Sequence, residues 1–217
     1  LPEKVNLKFE EVSQGELPFN FEVVYDDKES FHIEFINGDQ RIRIDDITIG
    51  LDRQTAKDTV TIRFPESNSY IRGIFEENVL EGEWVNANSE NYAIPFVAYH
   101  GQAHRFTTLK KTPATNVSGR WEVTFGIDSN DPYPAVAQFE QDGNYLTGSF
   151  TSESGSYRHL AGTIQDDKLY LSAFDGADAY LFEGKIQEDS TLIGSFRSGK
   201  HYKTLWEAQR NPEAQIQ

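Results

Sequence analysis

The chain has 217 residues, of which 37% are hydrophobic, 13% aromatic and 25% charged, so it can form a packed core and wholesale disorder is disfavoured. Its formal net charge of −15 is spread along the chain without a basic stripe, which disfavours binding to nucleic acid or to an anionic membrane surface. There is no cysteine, and no apolar run approaches the ~20 residues of a transmembrane helix, so we expect neither thiol chemistry nor a transmembrane segment in this chain.

Short segments alternate apolar and polar residues with a period of two, which is typical of β-strands with one buried face. In chain order these are FNFEVVY at 19–25, FHIEFI at 31–36, RIRIDDITI at 41–49, TVTIRF at 59–64, YIRGIF at 70–75, LEGEWV at 80–85, GRWEVTF at 119–125, AVAQFEQ at 135–141, YLTGSF at 145–150, LYLSAF at 169–174, AYLFEGKI at 179–186 and LIGSF at 192–196. The segment TLWEAQR at 204–210 is the best helical candidate, although it fits a final strand equally well. The spacing predicts an all-β protein of the sandwich or barrel kind.

The two halves of the chain match each other in the same order. The matched positions are Phe21 with Trp121, Phe35 with Phe139, Phe64 with Phe174, Tyr70 with Tyr180, Gly73 with Gly184, Gly82 with Gly194 and Trp84 with Phe196. Such an order predicts an internal duplication. We expect two related antiparallel β units, at residues 1–112 and 113–217. Each unit is expected to be a barrel or a sandwich, and the lipocalin-like barrel is one form that it could take. The polar, proline-containing segment 109–118 is the predicted linker, and the end of the chain is a linker-like tail.

Several short motifs follow one another through most of the chain, most densely from 119 to 211. They are Gly119 and Trp121; Thr147, Gly148 and Phe150; Gly155, Tyr157, Arg158, Leu160 and Gly162; Ser172, Phe174, Asp175 and Gly176; and Ser198, Gly199 and His201. In this order they resemble the β-rich region that precedes the thioredoxin domain in bacterial cell-envelope TlpA-type thiol-disulfide reductases.

That resemblance implies a non-catalytic accessory or binding module of an envelope-located oxidoreductase. The implied location is the cell envelope, either as a lipoprotein with a lipid anchor in the native precursor or as a periplasmic or secreted protein without one. The implied partner is a C-terminal thioredoxin-like domain. The Cys-x-x-Cys motif of that domain is absent here, and disulfide exchange requires a thiolate, so the chain itself is not expected to be an enzyme.

The polar residues of the second half are the candidate binding residues for a small ligand or a protein partner. They are Arg158, His159, Asp175, Asp178, Tyr180 and His201. In one interpretation the turns at Asp175 and His201 share one end of a barrel and bind a ligand there, with Arg158 recognising a carboxylate or phosphate. In the other, Arg158 and Asp175 form a structural ion pair, and Asp175-Gly176 is a hairpin turn that requires a positive φ at Gly176.

Two further functions stay open at this stage. A stand-alone lipocalin-like carrier would need an apolar cavity inside a barrel. A carboxylate-dependent glycoside hydrolase would need two close acids in a cleft, one of them with a raised pKa. The sequence designates no catalytic residue, no metal ligand and no cofactor.

Overall fold

The computed structural model describes the backbone of residues 3–12 and all atoms of residues 15–216. These residues form strands and turns without a helix, which confirms the prediction of an all-β protein. The strands are β1 Glu3–Val12, β2 Gly15–Tyr25, β3 Phe31–Asn37, β4 Gln40–Ile44, β5 Ile47–Leu51, β6 Asp58–Phe64, β7 Ser69–Glu76, β8 Val79–Asn86, β9 Ala93–His100, β10 Gly119–Phe125, β11 Tyr133–Asp142, β12 Tyr145–Ser152, β13 Gly155–Gln165, β14 Lys168–Phe174, β15 Ala179–Ile186, β16 Leu192–Ser198 and β17 Tyr202–Arg210. The segment TLWEAQR lies within β17 and is therefore a strand. In the part of the chain described, no helix has the length and apolarity needed to cross a bilayer.

The chain divides into two compact units, as the duplicated pattern predicts. The first unit contains the chain up to Arg105 together with the short segment Phe174–Ala179, and the second contains the rest. The division falls between Arg105 and Phe106 rather than at 112/113. The return of Phe174–Ala179 to the first unit is a feature that the sequence pattern did not predict.

The first unit is a nine-stranded antiparallel sheet in the order β4-β3-β2-β1-β9-β8-β7-β6-β5. Its two edge strands, β4 and β5, are consecutive in the chain and are joined by Asp45 and Asp46. The core face of the sheet carries large buried side chains, and on β3 these alternate with polar residues, since Ile33 and Phe35 are buried beside Glu34. The alternation follows the two-residue repeat of a strand.

The second unit is a closed eight-stranded antiparallel barrel in which β10–β17 pair in sequence order and β10 pairs with β17. The barrel is possible because alternate side chains point inward, as on β10, where Trp121, Val123 and Phe125 are buried and Arg120 and Glu122 are exposed. Closure leaves this unit without edge strands.

Aromatic rings fill the interior of the barrel. Phe150 stacks on Phe182 with ring centroids 4.3 Å apart, and Phe182 stacks on Phe196 at 4.4 Å. The indole of Trp206 meets Phe150 edge-on at 5.4 Å, and the side chains of all four residues are fully buried. The interior is therefore a packed core around these rings.

One row of three residues repeats in both units at equivalent strands. The row is Gly73–Gly82–Phe96 across β7, β8 and β9, and Gly184–Gly194–Trp206 across β15, β16 and β17. A Cβ atom on Gly82 or Gly194 would overlap a backbone carbonyl of the neighbouring strand. Glycine is required at these places because the neighbouring strands approach each other very closely. The row places the glycines that were aligned in the sequence at corresponding positions of the two units.

The same row corrects one detail of the sequence alignment. Trp84 and Phe196 each follow their glycine by two residues, as aligned. Tyr70 precedes Gly73 by three residues, however, and the residue three before Gly184 is Leu181 rather than Tyr180. Because a shift of one residue moves a side chain to the other face of a strand, Tyr70 and Tyr180 are not structural equivalents.

The predicted linker and tail are both held against the second unit. Val117 is fully buried, and its backbone carbonyl accepts a hydrogen bond of 2.9 Å from Nε1 of Trp121. At the other end of the chain, Ala214 is buried and its carbonyl accepts a hydrogen bond of 3.1 Å from Arg120. Both segments contain many polar residues, but each buries one apolar side chain and is attached to the barrel by further hydrogen bonds.

Candidate functional site

The six predicted binding residues are divided between the two units. Asp175 and Asp178 belong to the first unit, whereas Arg158, His159, Tyr180 and His201 belong to the second. We describe each group within its own unit.

Arg158 and His159 lie at a bulge in β13. Phe150 pairs with Tyr157 and Gly148 with Leu160, so one residue of β12 faces two residues of β13. His159 has a φ of +54°, and both side chains at the bulge are exposed. Bulges redirect side chains and increase strand twist, which is a sufficient structural role for this irregularity.

Tyr180 belongs to an aromatic layer at one end of the barrel. Its ring lies 5.0 Å from that of Tyr157 and 6.0 Å from that of Phe196. Burial, together with the neighbouring hydroxyl groups of Tyr157 and Tyr202, raises the pKa of Tyr133. His201 is exposed in the turn before β17. The layer is well packed, so Tyr180 serves the barrel core.

The Asp175-Gly176 turn has a clear structural role in the first unit. The carboxylate of Asp175 accepts hydrogen bonds from the backbone N–H groups of Ala177 at 2.9 Å and Asp178 at 2.8 Å. Gly176 has a φ of +93°, as predicted, and a Cβ atom there would overlap the ring of Phe64. The turn therefore needs glycine for both conformation and space.

The same segment completes the aromatic core of the first unit. The ring of Phe174 contacts those of Phe19 at 4.6 Å, Trp84 at 5.2 Å, Phe64 at 5.4 Å and Phe35 at 5.6 Å. The side chain of Asn37 pairs with both backbone groups of Phe174, donating to its carbonyl at 2.7 Å and accepting from its N–H at 3.0 Å. The carbonyl of Gly176 accepts from Nε1 of Trp84 at 3.1 Å and from the hydroxyl of Ser69. These bonds satisfy polar groups that the aromatic core would otherwise leave unpaired.

A second polar cluster, on β2, β3 and β4 and the turns beside them, was not predicted from the sequence. We call it the His32 cluster; it consists of Glu22, Asp26, His32, Glu34, Arg41, Arg43 and Asp45. His32 and Glu22 are buried, although both lie on the face opposite the core residues Phe21 and Ile33. The signal in the sequence is the alternation of His32 and Glu34 with Ile33 and Phe35, next to Arg41 and Arg43 on the following strand.

Ion pairs connect the members of the His32 cluster. Nδ1 of His32 lies 2.9 Å from Oδ2 of Asp26, and Nε2 lies 3.4 Å from Oε1 of Glu34. Arg41 bridges Glu22 and Glu34, with 2.8 Å to each. The hydrogen bond to Asp26 raises the pKa of His32. The same bond lowers the pKa of Asp26, and Arg41 lowers that of Glu34.

Asp26, His32 and Asp45 offer three metal-ligating atoms within 4.8 Å of one another. Arg43, however, lies among them, with Nη2 at 2.7 Å from Asp45 and 3.4 Å from Asp26 and Nη1 at 3.5 Å from Nε2 of His32. The guanidinium takes the position that a cation would need. The pKa values of Asp26, Glu34 and Asp45 are lowered. A general acid for glycoside hydrolysis needs a raised pKa instead. The arrangement fits a structural charge network.

The raised pKa of His32 predicts a pH-dependent stability. The protonated ring is stabilised in the folded state, so this contribution is fully present below the ordinary histidine pKa and is lost as pH rises through the raised value. We expect His32→Gln to melt at a lower temperature than the native protein. This difference should be largest at about pH 6 and should shrink as the pH rises to about 8. A ring titration by NMR that gives His32 a pKa below about 6.5 would contradict this expectation.

A groove of about 420 Å³ lies outside the barrel, beside the turn between β13 and β14. Its lining includes Phe106, Leu109, Lys111, Asp166, Lys168 and Tyr170. Phe106 packs on Tyr170 with ring centroids 5.6 Å apart, and the backbone N–H of Lys111 donates to the side chain of Gln165 at 2.6 Å. The groove is open to solvent, and both acidic and basic residues line it.

The comparison with solved structures finds distant structural similarity. No protein-family model matches the chain, and no curated protein matches it. The chain is similar to a solved structure described as a protein of unknown function from the DUF3598 family, from Nostoc punctiforme. The identity is 10% and the TM-score 0.31, with 95% of this chain and 92% of that chain covered.

Proposed function

We propose that the chain is a non-catalytic module that binds a protein partner through its outer surface. The observation that supports this proposal is the packed interior of the barrel, where Phe150, Phe182 and Phe196 form a continuous stack. A carrier of the lipocalin kind needs space at this place for an apolar ligand. In the His32 cluster, the acids are paired with arginines, and the pKa values of Asp26, Glu34 and Asp45 are lowered, which is unfavourable for acid catalysis.

We further propose that the partner includes a thioredoxin-like domain, as the resemblance to the TlpA-type reductases implies, and that the protein acts in the cell envelope. The chain would then position or accompany the redox domain, and the thiol chemistry would belong to that domain. The absence of cysteine from this chain agrees with such a division of labour.

The packed interior can be tested with an apolar fluorescent probe, N-phenyl-1-naphthylamine. We expect no saturable binding to the native protein. Phe182→Ala is the matched control with benzene as the probe, because loss of one ring from the middle of the stack leaves space for about one benzene molecule, which should bind to the variant and not to the native protein. Saturable one-to-one binding of N-phenyl-1-naphthylamine by the native protein would contradict the proposed module and favour a carrier.

The association with a thioredoxin-like domain is tested on the protein isolated from its own cells. We expect an intact mass well above the 24.7 kDa of this chain, with a pair of thiols that titrate after reduction. A mass near 24.7 kDa without thiols would overturn a covalent association with a redox domain.

A further inference from the structure

The edge of the nine-stranded sheet at β5 is apolar and exposed. The strand has the sequence ITIGL, without a charged side chain, and Ile49 is 60% and Leu51 61% exposed. Charged side chains normally protect edge strands from pairing with other chains, and β4 at the other edge has Arg41 and Arg43. The edge at β5 lacks such protection, so a further strand can pair with it.

The hydrogen bonds between β5 and β6 fix which backbone groups face the open side of β5. Arg63 donates its backbone N–H to the carbonyl of Asp46, so the even-numbered residues of β5 form the hydrogen-bonded pairs with β6. The backbone groups of Ile47, Ile49 and Leu51 therefore point away from β6, where no described strand pairs with them. The N–H of Ile47 already donates to the carbonyl two residues earlier, and the remaining groups are open to a partner strand.

A second copy of β5 matches these groups in one antiparallel register, with a twofold axis at Ile49. In this register Ile49 lies opposite Ile49 of the second copy, and Ile47 lies opposite Leu51. The three side chains share the core face of the sheet, because Ile47 and Ile49 lie opposite Ile62 and Val60 of β6. Every apolar side chain of β5 thus meets an apolar side chain of the other copy, as a self-complementary interface requires.

The charged residues at the ends of β5 agree with the same register. It brings Asp45 of one copy toward Arg53 of the other, and Arg53 forms no ion pair with any residue that the structure describes. It also brings Asp46 toward Asp52. Both of these acids are compensated within their own chain, because Asp46 pairs with Arg63 at 3.3 Å and Asp52 accepts hydrogen bonds from two backbone N–H groups.

We propose that two copies of the chain associate through the open edge of β5, with a twofold axis at Ile49 that joins their sheets into one antiparallel sheet. A second copy is favoured as the occupant because the sequence of β5 is its own complement, with aliphatic residues opposite each other and an acid near an arginine at both ends. The pairing of two five-residue strands is small beside a standard interface of about 1,600 Å², and the charge of −15 on each copy opposes it. The dimer is therefore weak and depends on concentration. This inference goes beyond the proposed function and does not rest on it.

Sedimentation velocity over about two decades of protein concentration tests the association. We expect a monomer–dimer equilibrium for the native chain. Ile49→Lys places two lysines opposite each other at the twofold axis, so it should weaken the association at least about tenfold. Ile193→Lys is the matched control, because Ile193 is 42% exposed on the closed barrel, which has no edge strand. This variant should dimerise as the native chain does.

Single cysteines test the register, because the native chain contains none. In the proposed dimer the two Cα atoms at position 49 are about 5.5 Å apart, within reach of a disulfide, whereas those at position 51 are about 14 Å apart. Under mild oxidation with copper–phenanthroline, we expect Ile49→Cys to form a disulfide-linked dimer at least about tenfold faster than Leu51→Cys. The two positions are almost equally exposed, so random collision would link them at similar rates.

Three results would overturn the proposed dimer. They are a native chain that sediments as a monomer at every concentration, a dimer that Ile49→Lys leaves intact, and equal rates of cross-linking at positions 49 and 51. Circular dichroism and the melting temperature of each variant should match those of the native chain, as expected for exposed positions, so that misfolding does not explain a lost dimer. If Ile49→Lys does not fold, the two cysteine variants decide. These results are independent of the probe and mass experiments, which test the proposed function.

Discussion

Phe174→Ala is expected to lower the free energy of unfolding of the first unit by about 4 kcal/mol, in the range measured for deletion of a buried ring. The side chain is 1% exposed and contacts four other aromatic rings in that core. Its replacement leaves a cavity that the hydrogen bonds between Asn37 and the backbone of residue 174 prevent from closing. Urea unfolding followed by tryptophan fluorescence measures the loss, because Trp84 lies against the ring.

Phe75→Ala provides the matched control, since it makes the same chemical change at a side chain that is 42% exposed. We expect it to cost less than about 1 kcal/mol. If Phe174→Ala does not fold, Phe174→Leu provides a milder change at the same place. Equal losses for Phe174→Ala and Phe75→Ala would show that Phe174 is not part of the core.

Gly194→Ala is expected to cost about 3 kcal/mol or more, because the new methyl group meets atoms that cannot move away. A Cβ atom at this position overlaps the carbonyl oxygen of Glu183 on the adjacent strand and lies 2.7 Å from the indole ring of Trp206. Relief would require separation of β15 from β16 or displacement of a fully buried tryptophan. Thermal unfolding monitored by near-ultraviolet circular dichroism reports both effects.

Gly50→Ala makes the same substitution in an edge strand. The nearest atom to the added methyl group is the hydroxyl oxygen of Thr59 at 3.0 Å, at the end of a side chain that can rotate. We expect a change within about 0.5 kcal/mol, as for most surface substitutions. A loss for Gly194→Ala as small as that for Gly50→Ala would be inconsistent with the close approach of β15 and β16.

The sequence predicts the fold class well because the alternation of apolar and polar residues along a strand follows which of its side chains are buried. The alternation in GRWEVTF follows the buried and exposed residues of β10, and the aligned glycines lie opposite each other in both units. The unit boundary was harder to predict. The segment 109–118 is polar, and the single burial of Val117 has no periodic signal around it.

The roles of the candidate site residues depend on contacts between residues that are far apart in the chain. The local pattern identifies Asp175-Gly176 as a turn, and the positive φ of Gly176 follows from that assignment. The pairing of Phe174 with Asn37 spans 137 positions, and no local pattern encodes it. The His32 cluster was missed for a related reason, since Glu22, Glu34 and Arg41 are brought together only by the pairing of three strands.

The return of Phe174–Ala179 to the first unit has a consequence for protein synthesis. The ribosome makes the first nine strands before it reaches the barrel, yet the aromatic core of the first unit remains incomplete until Phe174 emerges, roughly 70 residues after Arg105. At translation rates of about 5–20 residues per second, this delay lasts on the order of 4–14 s. During that interval Phe19, Phe35 and Trp84 lack their central neighbour, so we expect the nascent first unit to expose apolar surface until five of the eight barrel strands have been made.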